Sequence, residues 1–182
     1  MSQKPRSYRE KSIVFIGFMG SGKTTIGERV AKKLYRDFID IDEEIEKEYG
    51  MPVTEIFRVH GEETFREKEK EMITRLSTQP LKIISVGGGA FMNPDIRDHC
   101  LENCIVLFLD LSWDAWKERL SLLVASRPVL QGRSIEEIEE LFHKRQGIYA
   151  DHNSKFRTDH LDIEEVSDYL ISSLKTSWEL YD

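Results

Sequence analysis

The sequence predicts an α/β fold in three layers, α/β/α, with a parallel sheet covered by helices on both faces. Three observations carry that prediction. Short, uniformly apolar runs recur along the chain, as strands buried on both faces do. Segments with a helical apolar period separate them. A glycine-rich loop stands directly between the first apolar run and the first helical segment.

The elements follow in order. Ser12–Ile16, closed by Gly17, reads as the first strand. Residues 24–35 carry apolar side chains at 26, 30, 31 and 34, a helical period. Phe38–Ile41 is a second strand, and the acidic, amphipathic stretch 43–49 is broken by Gly50 and Pro52. Two helical stretches fill 53–77, with Gly61 between them. Lys82–Val86 is a third strand running into Gly87, Gly88 and Gly89. A short helix near 95–101 leads to a fourth strand, Cys104–Asp110, and a helix is expected over about 112–123. The stretch 124–133, with Pro128 and Gly132, reads as a loop. Ser134 and Glu137 form a capping-box pattern ahead of a helix over 134–149. A short fifth strand near 156–158 and a helix over 163–174 complete the chain. Strands alternating with helices imply βαβ units. A single domain over 12–182 is expected behind a flexible arm at 1–11.

Composition narrows the function. The chain has 182 residues, 40% apolar and 32% charged, which suits one globular core without a disulfide or metal staple. Its 26 basic and 33 acidic residues give a net charge of −7, which argues against a non-specific nucleic-acid binder. Residues 1–12 are polar and basic with no apolar signal-type stretch among them, and the longest apolar runs fall well short of the roughly 20 residues of a membrane span. A cytoplasmic protein with no membrane partner is expected. Without a heptad repeat, a monomer is the default. Cys100 and Cys104 flank no second ligand pair; they read as half of a zinc site with His99 or as two small core residues. The five histidines show no ligand spacing, and Trp113 and Trp116 read as packing residues.

Parallel sheets place ligands at the carboxyl ends of their strands, which directs attention to 17–24, 42, 87–89 and 110–114. Gly17–Thr24 matches G-x4-G-K-[ST] between a strand and a helix. Gly20, Ser21, Gly22, Lys23, Thr24 and Thr25 would cradle phosphates with backbone N–H groups and a helix N-terminus. Lys23 would reach the β/γ-phosphates and Thr24 would ligate Mg²⁺, which makes the bound ligand a nucleoside triphosphate such as ATP. Asp40 and Asp42 alternate with isoleucines, so in an extended chain they share a side beside this loop. Paired carboxylates there suit a magnesium shell and the orientation of an attacking hydroxyl. A helix N-cap is the alternative for Asp42.

Two further residues interrupt apolar patterns, and a third stands in the expected lid. Glu69 falls on the stripe Phe65, Met72, Leu76, within reach of Arg66. The pair is either a surface ion pair or a device holding the Arg66 guanidinium toward a ligand. Arg145 falls on the stripe Ile135, Ile138, Phe142, Tyr149. It either snorkels to solvent or awaits an anion. Arg127, before Pro128, is a solvated loop arginine or the charge-neutralising residue of a closing lid.

In order and spacing, GFMGSGKTTIG, FIDIDEEIE, FREKE, VGGGA, RPVL and KRQGIY resemble the shikimate kinase family over about 12–174. That resemblance implies a five-stranded P-loop kinase fold like that of nucleoside monophosphate kinases, with substrate helices at about 42–77 and a lid at about 122–133. It implies transfer of the ATP γ-phosphoryl group to the 3-hydroxyl of shikimate, in chorismate and aromatic amino acid biosynthesis. Asp42 would hold the reacting hydroxyl, and Asp40 would sit in the magnesium shell with Thr24. Arg66 and Arg145 would grip the carboxylate, with Glu69 orienting Arg66. Gly88 and Gly89 would offer N–H groups to substrate, and Arg127 would contact the transferring phosphate. The chain departs from the family where R-x-P-L-Y becomes Arg145-Gln146-Gly147-Ile148-Tyr149. Leu120 stands where the family carries an adenine-contacting arginine, so Arg119, one place off, is assigned to the nucleotide. The stretch 158–163 lacks the expected proline. The competing readings are another small-metabolite kinase, such as one acting on gluconate, and a non-catalytic nucleotide-binding protein.

Overall fold

A computed structural model describes residues 6–124 and 127–179. Residues 1–5 of the expected arm, 125–126 of the expected lid and 180–182 at the C-terminus lie outside the described residues. The strands are β1 (Ile13–Ile16), β2 (Asp37–Asp40), β3 (Lys82–Ser85), β4 (Ile105–Asp110) and β5 (Ser154–Arg157). They form one sheet in the order β2-β3-β1-β4-β5, and every pairing is parallel. The helices are α1 (Lys23–Leu34), α2 (Ile41–Tyr49), α3 (Val53–Ser77), α4 (Pro94–Asn103), α5 (Trp113–Lys117), α6 (Leu120–Leu123), α7 (Ile135–Ile148) and α8 (Ile163–Ser177). Short 3-10 turns occupy Ala90–Met92 and Pro128–Leu130.

The apolar runs of β1, β3 and β4 are continuous because each of these strands feeds two cores. Val14 and Ile16 of β1, with Val106 and Phe108 of β4, face one cluster that includes Ile45, Phe65 and Phe142. Ile13 and Phe15, with Ile105, Leu107 and Leu109, face the other, which α1 and α8 close with Val30 and Leu170. The period of two thus sorts one run of residues onto opposite faces. The connection from β1 to β2 passes two places one way, and that from β3 to β4 passes two places the other way. That reversal opens a crevice beyond the carboxyl ends of β1 and β3.

Four expectations change. The helix expected over 112–123 is two helices, α5 and α6, separated at Glu118–Arg119. The fifth strand begins two residues earlier than expected. Residues 6–11 pack on the body: Glu10 accepts from the Leu81 N–H, and the Tyr8 ring meets Trp178 edge-on. Finally, the chain is not extended through Asp42. β2 ends at Asp40, whose carboxylate caps α2 by accepting from the Glu43 N–H, and Asp42 lies in the first helical turn. Asp40 is therefore the cap and Asp42 is not. Gly61 breaks α3 at φ 86°, ψ 159° as expected, and Ser134 and Glu137 complete the expected capping box at α7.

Cys100 and Cys104 are free and buried in the first core, with the Cys104 thiol donating to the Ser77 carbonyl. Among the described residues no three His, Cys, Asp or Glu side chains cluster as metal ligands. Nor is any helix of the described residues long and apolar enough to cross a membrane.

Candidate active site

The glycine-rich loop leaves β1 at Gly17 and re-enters helix at Lys23. Gly20 and Gly22 adopt φ 74° and 100°, a left-handed backbone that favours glycine. Lys23 is buried, and its ammonium donates to the Gly17 and Phe18 carbonyls at 2.8 and 3.0 Å. Burial lowers its pKa to about 7, helped by the Arg127 charge and opposed by Asp42 and Asp40. The Thr24 hydroxyl donates to the Asp40 carboxylate. Ser21 is buried with its hydroxyl unpartnered. The Ser21 N–H is already used, donating to the Phe18 carbonyl at 3.1 Å.

A cavity of about 280 Å³ covers this loop and is lined by Gly20, Gly22, Lys23, Thr24, Thr25, Asp40, Asp42, Gly87, Gly88, Arg119 and Arg127. Asp40 and Asp42 do therefore meet in one cavity, although a strand-to-helix corner, not an extended strand, brings them there. The Asp42 carboxylate pairs with Arg127 at 3.3 Å through one oxygen. Its other oxygen is buried without a partner. Burial raises the Asp42 pKa, and Asp40 adds to the rise, while Arg127, Lys23 and Arg66 pull it back.

Beyond Asp42 a second, smaller pocket of about 40 Å³ lies between α3, the glycine triplet and Arg127–Val129. Arg66, Glu69, Gly88, Gly89 and Arg145 line it, beside Val53, Phe57 and Phe65. Arg66 donates to both oxygens of Glu69, at 3.0 and 3.3 Å. Glu69 is only 1% exposed, so this is a buried brace and not a surface pair. Burial pushes the Glu69 carboxyl up to about 7 against the pull of Arg66. Arg145 is 3% exposed, so it does not snorkel. Its Nε has no partner, and it forms no ion pair among the described residues. The Nε atoms of Arg66 and Arg127 are likewise buried and unpartnered. Three guanidinium groups with spare donors around one carboxylate make a receptor for an anionic, hydroxylated molecule.

The glycine triplet fits where a side chain would not. A Cβ on Gly88 would stand 2.9 Å from the Met19 backbone nitrogen, and one on Gly89 would stand 2.8 Å from Arg66 Nη2. Arg119 donates to the Gly20 carbonyl at 2.8 Å. It also lines a separate cavity of about 180 Å³ with Ser21, Thr25, Thr158, Leu161 and Ile163. The break between α5 and α6 delivers Arg119 to that position.

Two site-forming residues read differently in the sequence. Trp116 packs against Phe18 and Phe142, as a packing residue should, but its indole also donates to the Met19 carbonyl at 2.7 Å. Tyr149 lies on the apolar stripe, yet its phenol donates to the Gly88 carbonyl. The one available signal is that a buried indole or phenol needs a hydrogen-bond partner; it does not say which.

Comparisons with known proteins identify the family. A profile described as shikimate kinase matches residues 19–175. Shikimate kinase of Bacillus subtilis (strain 168) is 58% identical over 95% of this chain and 94% of its own. That of Oceanobacillus iheyensis is 56% identical over 96% and 95%. Among solved structures, shikimate kinase from Acinetobacter baumannii in complex with shikimate superposes with a TM-score of 0.84. It is 27% identical and covers 94% of this chain and 96% of its own. A gluconokinase from Sinorhizobium meliloti shares the fold at a TM-score of 0.52 and 18% identity, over 96% of each chain.

Proposed function

The chain belongs to the shikimate kinase family, and on that premise we propose how its cavities divide the reaction. The reaction is transfer of the ATP γ-phosphoryl group to the 3-hydroxyl of shikimate, giving shikimate 3-phosphate and ADP. In this reading the 280 Å³ cavity holds the phosphates, on the N–H groups of the loop Gly20–Thr25 other than that of Ser21 and on the positive end of α1. Lys23 leaves its two carbonyls for the β/γ-phosphates. The cavity beside Arg119, Thr158 and Leu161 takes the adenine.

The smaller pocket takes shikimate. Arg145 and Arg66 bind its carboxylate, and Glu69 keeps the Arg66 fork in plane. Gly88 and Gly89 meet it with N–H groups. The free oxygen of Asp42 then faces the reacting hydroxyl and accepts its proton as the phosphoryl group arrives. Arg127 moves from Asp42 to the transferring phosphate, where its charge counters that of the transition state. Residues 42–77 thus form the substrate side and 122–133 the lid.

Magnesium fits the donor set, because the Thr24 hydroxyl and the Asp40 carboxylate already meet inside the phosphate cavity as hard oxygen ligands. When bound there, Mg²⁺ neutralises phosphate charge. Asp40 would give up its bond from Thr24 to join Thr24 as a ligand. The same reading has the protein act as a cytoplasmic monomer without nucleic-acid or membrane partners.

The observation that carries this reading is Arg145, buried without a carboxylate of its own. The test is ADP release. It should require both shikimate and Mg²⁺ and should not appear with gluconate. Equal rates with both acids would overturn the assignment, and ATP binding without turnover would favour a nucleotide-binding protein.

A further inference from the structure

We propose that Tyr149 is a positioning residue for shikimate: through its bond to the Gly88 carbonyl it turns the next peptide N–H, that of Gly89, toward the substrate. The inference rests on the substrate reading above and adds to it a residue that touches no reacting atom.

Gly88 and Gly89 are buried, yet neither N–H donates to an acceptor among the described residues. Buried N–H groups in native proteins are almost always satisfied, so two adjacent free ones mark a place where a ligand supplies the acceptor. Which way they point depends on the peptide plane. In a trans peptide the carbonyl of one residue and the N–H of the next point in opposite directions. Fixing the Gly88 oxygen therefore fixes the Gly89 N–H as well. Glycine would otherwise let that plane rotate.

Among the described residues one side chain holds the oxygen: the phenol of Tyr149 donates to it from a position 1% exposed. Burial pushes the phenol above its ordinary pKa, so it remains a donor at any working pH. The rest of the clamp is steric. The Cβ position of Gly88 lies 2.9 Å from the Met19 nitrogen and 3.5 Å from both Arg145 Nη1 and the Tyr149 hydroxyl. The glycine is wedged between the phosphate loop and α7. Arg145 and Tyr149 are one turn apart, and the Tyr149 N–H donates to the Arg145 carbonyl at 3.3 Å. One helix end thus supplies the carboxylate grip and also aims the neighbouring N–H. Position 147 carries glycine here, which leaves that helix end to be fixed by contacts such as the phenol's.

The test is Tyr149→Phe, which keeps the ring and removes the donor. The KM for shikimate should rise about tenfold while the KM for ATP and kcat move less than about twofold, and replacement by p-aminophenylalanine should restore it. A lower melting temperature with an unchanged shikimate KM would make Tyr149 a packing residue only and overturn the proposal. A second measurement needs no variant. In the wild-type protein carrying ¹⁵N-glycine, shikimate alone should slow amide exchange at Gly89, and a non-hydrolysable ATP analogue alone should not. Unchanged exchange at Gly89 in protein that turns over shikimate would overturn the proposal and leave the assigned reaction intact. Absence of turnover in the wild type would instead overturn that reaction.

Discussion

Arg145 is a cation 3% exposed with no ion pair among the described residues, and such a group costs stability. Burial and the Arg66 charge both weaken its hold on its proton. The protein keeps it for a ligand, which gives a prediction of two opposite signs. Arg145→Met should stabilise the ligand-free protein by about 1–4 kcal/mol, as apolar replacement of a buried charge often does. The same change should remove most shikimate affinity, since truncating a buried charged contact costs roughly 2–5 kcal/mol. Thermal unfolding with and without shikimate measures both. A lower melting temperature in the ligand-free variant would mean that the guanidinium is structural. At this scale Arg145 and Glu69 are legible because each breaks an apolar period, and Arg66 because it stands one helical step from Glu69, signals that need no coordinates. Trp116 and Tyr149 are not, because aromatic residues on an apolar stripe conform to the pattern and their polar atoms aim at backbone carbonyls far away in the chain.

At the scale of elements, corners matter more than the elements they join. β2 stops at Asp40 because its carboxylate is well placed to cap the α2 N-terminus. Asp40 and Asp42 therefore reach one cavity across a strand-to-helix corner, whereas a period of two would bring them together only in an extended chain. The break at Glu118–Arg119 has no glycine or proline to announce it. It was invisible to a periodicity argument, whereas Gly61 and the Ser134–Glu137 box were plain in the sequence. That box offers a clean separation of stability from function. Ser134 accepts from the Glu137 N–H at 3.2 Å, and its own N–H is held by the Glu137 carboxylate at 2.7 Å. Ser134→Ala should cost about 1 kcal/mol. Arg145 lies three turns from this end, so the shikimate KM should stay put. A shifted KM with unchanged stability would show that the start of α7 moves with the lid.

For the whole molecule, the net charge of −7 conceals how charge is arranged. The acidic excess lies on exposed faces such as those of α2 and α7, while the cavity gathers Lys23, Arg66, Arg127 and Arg145 around Asp40 and Asp42. Burying a cation has a proton cost that neighbouring cations increase, and Lys23 bears it: its pKa falls to about 7, through burial first and then the Arg127 charge. The unfolded chain would hold that proton up to the ordinary lysine value, so between about 7 and 10.5 the unfolded state binds more protons than the folded one. Stability from this residue therefore rises with pH across that window, and below it the full burial penalty is present. A polyphosphate reverses the balance, because it favours the charged ammonium. ATP binding at pH 8 should then take up close to one proton, falling as pH drops through 7. Titration calorimetry in buffers of different ionisation enthalpy reads this number directly, and at pH 8 ATP carries no proton of its own to confuse it. Lys23→Arg, always charged, should bind with no uptake. If wild type and variant show the same proton count, Lys23 is charged before ATP arrives, and the cations of the cavity are neutralised by Asp40 and Asp42 without help from substrate.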